Sequence, residues 1–425
     1  MSLAAASDPR LSTQVLRPRP PGLKGWIMGQ AMAAAPLGLG LLRRFAPLPR
    51  FGKLVIATLH DDVTEVFATD AAFAAPYRDK LEVITGGEPF FLGQADGPEY
   101  RGAVAAMRRV VRPDDLPRLA HQAEALAEAA VVGATIAGAG GRIEVVDALV
   151  REVTFKLLGD YLGVPPTPVG DIRVWATRLF EFQFADPGGD PALRIEVDAI
   201  APAMRAHIQG EMDRRRAAGL AAQPDDVLGR CLSLQAAGEA WYTDAAIRTA
   251  IACLMVGGPP QPPMVVPQAL EQLLRRPQAL AGAQQAARDG DDDLLAGYVL
   301  EAMRFDPLAP GLPRQVAVEA TIAAGTQRAR TVPAGATVLA AFASAMMDER
   351  RLPDPKVFNP RRLAYEYIHF GHGLHECFGR HINRATLHLM LKPLLKRSNL
   401  RRAPGPAGRL RKNGVFAERL VVEFG

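Results

Sequence analysis

Phe370-Gly-His-Gly-Leu-His-Glu-Cys377-Phe-Gly379 is the run on which the fold assignment turns. Glycines at 371, 373 and 379 permit tight turns and a close approach of the main chain to a bound group. Such a loop holds one thiolate still, with amides turned toward the sulfur to tune a metal-bound thiolate. Two plainer readings compete. Only Cys231, Cys253 and Cys377 occur in the 425 residues, and a cysteine without partners is ordinarily a small buried hydrophobe. Alternatively His369, His372, His375 and His381 offer zinc ligands beside Cys377. Structural zinc sites draw on two separated knuckles, however, and no second pair stands at that spacing.

Working outward, Glu301-Ala-Met-Arg304 precedes Phe305-Asp-Pro307. Residues three apart on a helix share a face, so this acid and base can pair with each other or with a third element. Beyond them come Pro313-Arg314, a strand-like Gln315 to Ile322, Val332-Pro-Ala-Gly335, the apolar run Val338 to Phe342, Pro353-Asp-Pro355 and Phe358-Asn-Pro360.

The cysteine loop resembles the haem-binding loop of the cytochrome P450 family, Phe-x-x-Gly-x-x-x-Cys-x-Gly, with Phe370, Gly373, Cys377 and Gly379 at its fixed positions. From about residue 48 onward the order of elements resembles the bacterial members. The resemblance implies a mainly α fold with small β-sheets and haem b on the Cys377 thiolate. Phe370 and Gly371 lie in that loop, and His375 and Arg314 fall where the family places partners for haem propionates, a role suited to a bidentate guanidinium. Glu301 and Arg304 match the family's Glu-x-x-Arg element. The arginine that completes its triad falls on Val357, with Arg362 as the substitute.

Two departures follow. Asp96-Gly-Pro-Glu-Tyr100-Arg101 resembles the start of a haem-contacting helix, but Tyr100 replaces a histidine and Val104 an arginine. Arg101 and Arg108, two turns apart on one helical face, are the compensating candidates, with Arg109 beside them. The family's long helix carries a Gly-x-acid-Thr stretch that supplies protons for oxygen activation. Here Gly257-Gly258-Pro-Pro260-Gln261-Pro-Pro263 stands instead, with proline in the acid position and an amide in the hydroxyl position. Proline costs about 3 kcal/mol inside a helix, so Pro259, Pro260, Pro262, Pro263 and Pro267 must interrupt or kink it, unless the run is a plain loop before a helix opening at Pro267. Glutamine donates a hydrogen bond but is no acid. The resemblance therefore implies an oxidoreductase of monooxygenase type served by a ferredoxin-like partner. Its alternative is a hydroperoxide isomerase, dehydratase or peroxygenase needing no redox partner.

Phe90, Phe91, Phe180, Phe182, Leu308, Leu312 and Phe416 match the family's pocket positions, and their apolar character suggests a lipophilic small-molecule substrate. Composition fits a single large soluble enzyme domain, and the resemblance implies a haem domain over 48–425 with an N-terminal extension over 1–47. Apolar spacing predicts helices over Leu119–Val132, Ile143–Leu162, Val197–Arg216, Thr243–Val256 and Leu294–Phe305, and strands only at Leu54–Leu59, Val316–Ile322, Val338–Phe342 and Leu420–Phe424. The net charge of +5 is scattered without interleaved aromatics, which argues against nucleic acid. Sparse cysteines favour a reducing, cytoplasmic setting. Trp26 to Leu42 carries no formal charge, yet Gln30, Pro36 and its glycines suit a helix packed on the domain or resting on a membrane surface better than a span.

Overall fold

The structure, a computed structural model, describes residues 14–17, 22–136, 140–219 and 223–425, with the side chains of 22–33 outside that description. The described chain is mainly helical with small sheets, and it divides into two compact units. Of the described residues, the first comprises 14–17, 77–115, 151–219 and 223–262; the second comprises 22–76, 116–136, 140–150 and 263–425.

The first unit is helical. Its helices Ile172–Phe180, Pro191–Ala218 and Asp244–Gly257 are started by Asp171, Asp190 and Thr243, whose side chains accept from free amides of the first turn. Trp175 and Leu179, four apart on the first of these helices, are fully buried, as are Val197 and Ile251 on the other two. Asp115 receives both arms of Arg230 and the Tyr161 hydroxyl inside this unit, so its charge is compensated where water is absent.

In the second unit the helices Leu116–Gly133 and Arg380–Lys396 pack together, and the unit also carries a five-stranded sheet. That sheet orders Arg50–Phe51, Leu54–Ala57, Thr337–Ala340, Leu312–Val316 and Phe73–Ala74 as neighbours, with the second and third strands parallel. Val55, Ala57, Val338 and Ala340 alternate into its core, fully buried. The Gly22–Phe45 helix belongs to this unit through buried Leu39 and through Arg43, which donates to the Ser344 carbonyl and hydroxyl.

Several predicted bounds shift. Ile143 lies in a strand, Gly140–Glu144, which pairs with Val421–Phe424; the π-helical segment Val145–Arg151 that follows shares the apolar spacing of the next helix, which is why the expected helix starts too early. The expected strand Val316–Ile322 splits into Leu312–Val316 and Ala320–Ile322, and Phe342 begins a short helix. Strands such as Arg330–Val332 and Phe416–Arg419 are too short to announce themselves by alternation.

Candidate haem-thiolate site

Cys377 follows a loop locked by its own backbone. Its amide donates to the Phe370 carbonyl at 2.8 Å, Glu376 donates to Gly373, and Gly371 donates to Ile368. Gly371 and Gly373 have φ of +75° and +74°, a region side chains resist. Gly373 also presses against the end of the His60–Ala68 helix: a methyl group there would sit 2.5 Å from the Phe67 carbonyl oxygen. Gly379 comes 3.9 Å from the sulfur at the point where a side chain would start, immediately before the Arg380–Lys396 helix. Half-buried Cys377 thus stands at a helix N-terminus, whose dipole favours a thiolate. The other two thiols are buried and inert: burial pushes Cys231 up to about 12, and Cys253 higher still.

The histidines do not gather around the sulfur. His369 is half-buried with Nε2 2.9 Å from the Leu300 carbonyl, and His375 Nε2 meets the Asp70 carboxylate at 3.1 Å. Among the described residues no three His, Cys, Asp or Glu side chains are placed to hold a metal ion. One presented thiolate in a glycine loop is a donor set that suits the axial position of haem.

Beside the loop, Arg314 is buried with its guanidinium 4.7 Å above the Phe67 ring, the residue whose carbonyl touches Gly373. The Phe67 end of one helix therefore underlies both Arg314 and the cysteine loop. His375 is held on the same side by Asp70, two residues past that helix.

The Glu301 cluster is the most buried charge in the second unit. Arg304 donates to both Glu301 oxygens at 2.8 Å, and Arg362 Nε donates at 3.1 Å. Val357, in the register position, is exposed, and its carbonyl accepts from Arg362 instead. Sequence reasoning did not anticipate the Asn359 amide at 2.9 Å or the Tyr367 hydroxyl at 3.3 Å, both on Glu301. Burial alone would raise the Glu301 pKa, but the two guanidiniums and the amide leave it below the ordinary carboxylate range.

In the first unit the expected residues are dispersed. Exposed Arg101 pairs with Asp96 at 2.9 Å, exposed Arg108 shares its helix, and Arg109 pairs with Glu239, so the structure does not gather these cations into one anion site. Tyr100 and Phe90 line an open cavity of about 580 Å³, together with Arg78, Glu82, Gln94 and Glu99. Phe91, Phe180 and Phe182 are buried core side chains that do not line it, and its rim is more polar than the apolar expectation. In the second unit Leu308 and Leu312 are half-buried, whereas Phe416 is buried in its hairpin.

The Asp244–Gly257 helix stops where the prolines begin and a new helix starts at Pro262. At the break Gln261 donates its side-chain amide to the Gly257 carbonyl at 2.5 Å and its backbone amide to Gly258 at 3.3 Å. Its amide spans the non-helical turn 258–261, and Pro267 lies inside the following helix rather than opening it.

The sequence profile of the family described as Cytochrome P450 matches residues 208–414. Erythromycin C-12 hydroxylase of Saccharopolyspora erythraea is 27% identical over 366 residues, 84% of this chain and 86% of that one. The cytochrome P450 monooxygenase PikC of Streptomyces venezuelae is 26% identical over 89% of this chain and 87% of its own length. The bifunctional dioxygenase-epoxy alcohol synthase of Pyricularia oryzae is 39% identical over 130 residues, and the chain spans only 11% of that protein's length. The solved structure of CalO2 shares the fold, with a TM-score of 0.76 over 93% of this chain and 97% of its own at 20% identity. The chain belongs to the cytochrome P450 family, in its bacterial type. It is an oxidoreductase whose cofactor is haem carried on the Cys377 thiolate.

Burial pushes the His369 imidazole from 6.5 down to about 4. The fold keeps it neutral, whereas the unfolded chain takes up a proton near the ordinary value. Its contribution is therefore complete above pH 6.5 and is lost as pH falls toward about 4. Chemical denaturation should show wild type losing on the order of 3 kcal/mol more than His369→Phe across that window; parallel curves would contradict it.

Proposed function

We propose that this enzyme oxidises a lipophilic small molecule with oxygen drawn from a peroxide bond rather than from O2 and an electron-transfer partner. The observation that carries this reading is the break after Gly257: by the family resemblance Pro260 and Gln261 fall at the acid and hydroxyl positions, and the Gln261 amide already serves Gly257. Proline has no proton to give and an amide is no acid at neutral pH. Haem with a thiolate ligand supplies the oxygen-activating chemistry, pushed by electron density from sulfur. Isomerising a hydroperoxide breaks one O–O bond and moves that oxygen to carbon without net electron flow. Using H2O2 on a C–H bond transfers one oxygen and releases the other as water. Neither route needs a reductase. The similarity to a protein named as a dioxygenase-epoxy alcohol synthase supports the same direction.

A second reading, monooxygenation served by a ferredoxin-type protein, is favoured by the near full-length relatives named as a hydroxylase and a monooxygenase. Under it, protons come from substrate or water.

In either case we assign Arg314 to a haem carboxylate, because its buried guanidinium lies over the ring whose backbone braces Gly373. Phe370 and His375 act as second-layer supports, His375 through Asp70. For localisation we infer a cytoplasmic enzyme whose first helix touches the membrane. No described helix is long and apolar enough to cross one, but Leu37, Leu41 and Phe45 are exposed at four-residue spacing, with Arg44 alongside.

Three outcomes follow. Arg314→Leu should raise the rate of haem loss to apomyoglobin about tenfold with little change in melting temperature, as expected from one charge-assisted contact; an unchanged rate removes the assignment. Supplied with H2O2, a lipid hydroperoxide, or NADPH with ferredoxin and its reductase, the enzyme should turn over on a peroxide alone. Turnover only with the reducing system would replace this reading by the second. Sedimentation with anionic vesicles should fall several-fold on Leu37→Ser with Leu41→Ser, and binding unaffected by the pair would exclude the helix as the contact.

A further inference from the structure

Helical carbonyls point along the axis toward the amide four residues on. At the interrupted turn two of those amides do not exist: Pro259 stands four beyond Met255, and Pro260 stands four beyond Val256. The neighbours are served, Leu254 by the Gly258 amide at 2.9 Å and Gly257 by the Gln261 side chain. Met255 and Val256 are themselves buried, at 0% and 3% exposure. Buried carbonyls that have lost their helical donors recruit another one, because leaving them bare is costly.

Access runs along the same turn. Leu254, Gly257, Gly258 and Gln261 are half-buried within an otherwise buried stretch, a stripe at the spacing of one helical face. A methyl group built on Gly257 would meet no atom within 4 Å. The open space therefore lies beside Gly257, whereas a methyl group on Gly258 would sit 2.9 Å from the Leu254 carbonyl oxygen and 3.3 Å from Leu158, and Gln261 spends its side-chain amide on the Gly257 carbonyl, so Met255 and Val256 keep carbonyls without a helical donor.

We propose that the Met255 and Val256 carbonyls form an acceptor pair that selects ligands bearing a hydroxyl or hydroperoxyl O–H. The pair deepens the peroxide-using reading, since a hydroperoxide brings that donor, but it requires only a donor and not a particular reaction. Two adjacent acceptors without a cation or an acid favour a neutral O–H and give nothing to a carboxylate or a ketone. Restoring an N–H at residue 259 or 260 would satisfy one carbonyl from within and remove the vacancy that the ligand fills.

The test uses haem-loaded enzyme and two small probes that differ by one hydroxyl, cumyl alcohol and cumene, with affinity read by calorimetry. Wild type should bind the alcohol at least tenfold more tightly. Pro260→Ala or Pro259→Ala should cut that preference to threefold or less while cumene affinity stays constant. Both variants add a helix-forming residue, so thermal melting should hold or rise, and the CO difference spectrum should remain of thiolate type. Equal affinities in wild type, or a preference that survives both substitutions, would overturn the proposal. A preference lost as described in an enzyme that consumes no peroxide would leave this site standing and remove the peroxide-using reading instead.

Discussion

A buried carboxylate shared by two guanidiniums holds the second unit together. Glu301 and Arg304 have side chains with no solvent exposure, and the Arg362 side chain keeps 1%. Taking these charges from water costs several kcal/mol per ion, repaid only when nearly every polar atom finds a partner. The repayment is visible in the backbone. Arg304 reaches the Met346 carbonyl, Arg362 reaches those of Pro353, Asp354 and Val357, and Asn359 returns an amide to Glu301. An irregular stretch of more than a dozen residues is thereby fixed by charge rather than by strands or helices. Tyr367 and His369, stacked at 5.2 Å, carry that order into the chain just before Phe370. Removing one partner would leave uncompensated charge in the interior, at a cost of about 3 to 5 kcal/mol.

The cysteine loop depends on this order because it has little apolar mass of its own. It gains precision from closure between Cys377 and Phe370 and from two glycines in left-handed conformation, one of them pressed to the end of the His60–Ala68 helix. A thiolate needs positive potential and partial exposure together. Cys231 and Cys253 have neither, which is why three chemically identical side chains differ so completely in use.

How much of this was legible follows from how each feature is encoded. The loop and the Glu-x-x-Arg pair are local spacings, so the family, the fold class and the cofactor could be read from residues 301–379. The third arm of the cluster was legible only as a pair of options, because a guanidinium on a long stem reaches across a turn and does not have to obey register; Arg362 stands five residues past Val357 and still donates to its carbonyl. Arg101 and Arg108 share a helical face as spacing required, but a sequence does not announce that Asp96 takes the first of them. Position alone suggests Phe180 and Phe182 as pocket residues, whereas both are buried in the core, since aromatic side chains in a helical layer serve packing as readily as ligand contact. The strand at Gly140–Glu144 was hidden by a π-helical turn whose apolar spacing continues that of the next helix.

The interrupted helix shows the same logic in reverse, as a defect maintained by sequence. A single proline would kink the helix, whereas four between 259 and 263 prevent any alternative hydrogen-bond register from healing it. Gln261 is the one residue in that run with an amide to spare, and it spends both its backbone and side-chain donors on the carbonyls of Gly257 and Gly258. The turn is thus rigid without being complete: two carbonyls are bridged, two others lose their helical donors, and no acid stands among them. Rigidity of this kind places acceptors at fixed positions before a ligand arrives, so little of the binding free energy is lost to ordering the site. A helix that had to move protons would need titratable side chains at this turn. With prolines at 259 and 260 and an amide at 261, this turn carries no acid.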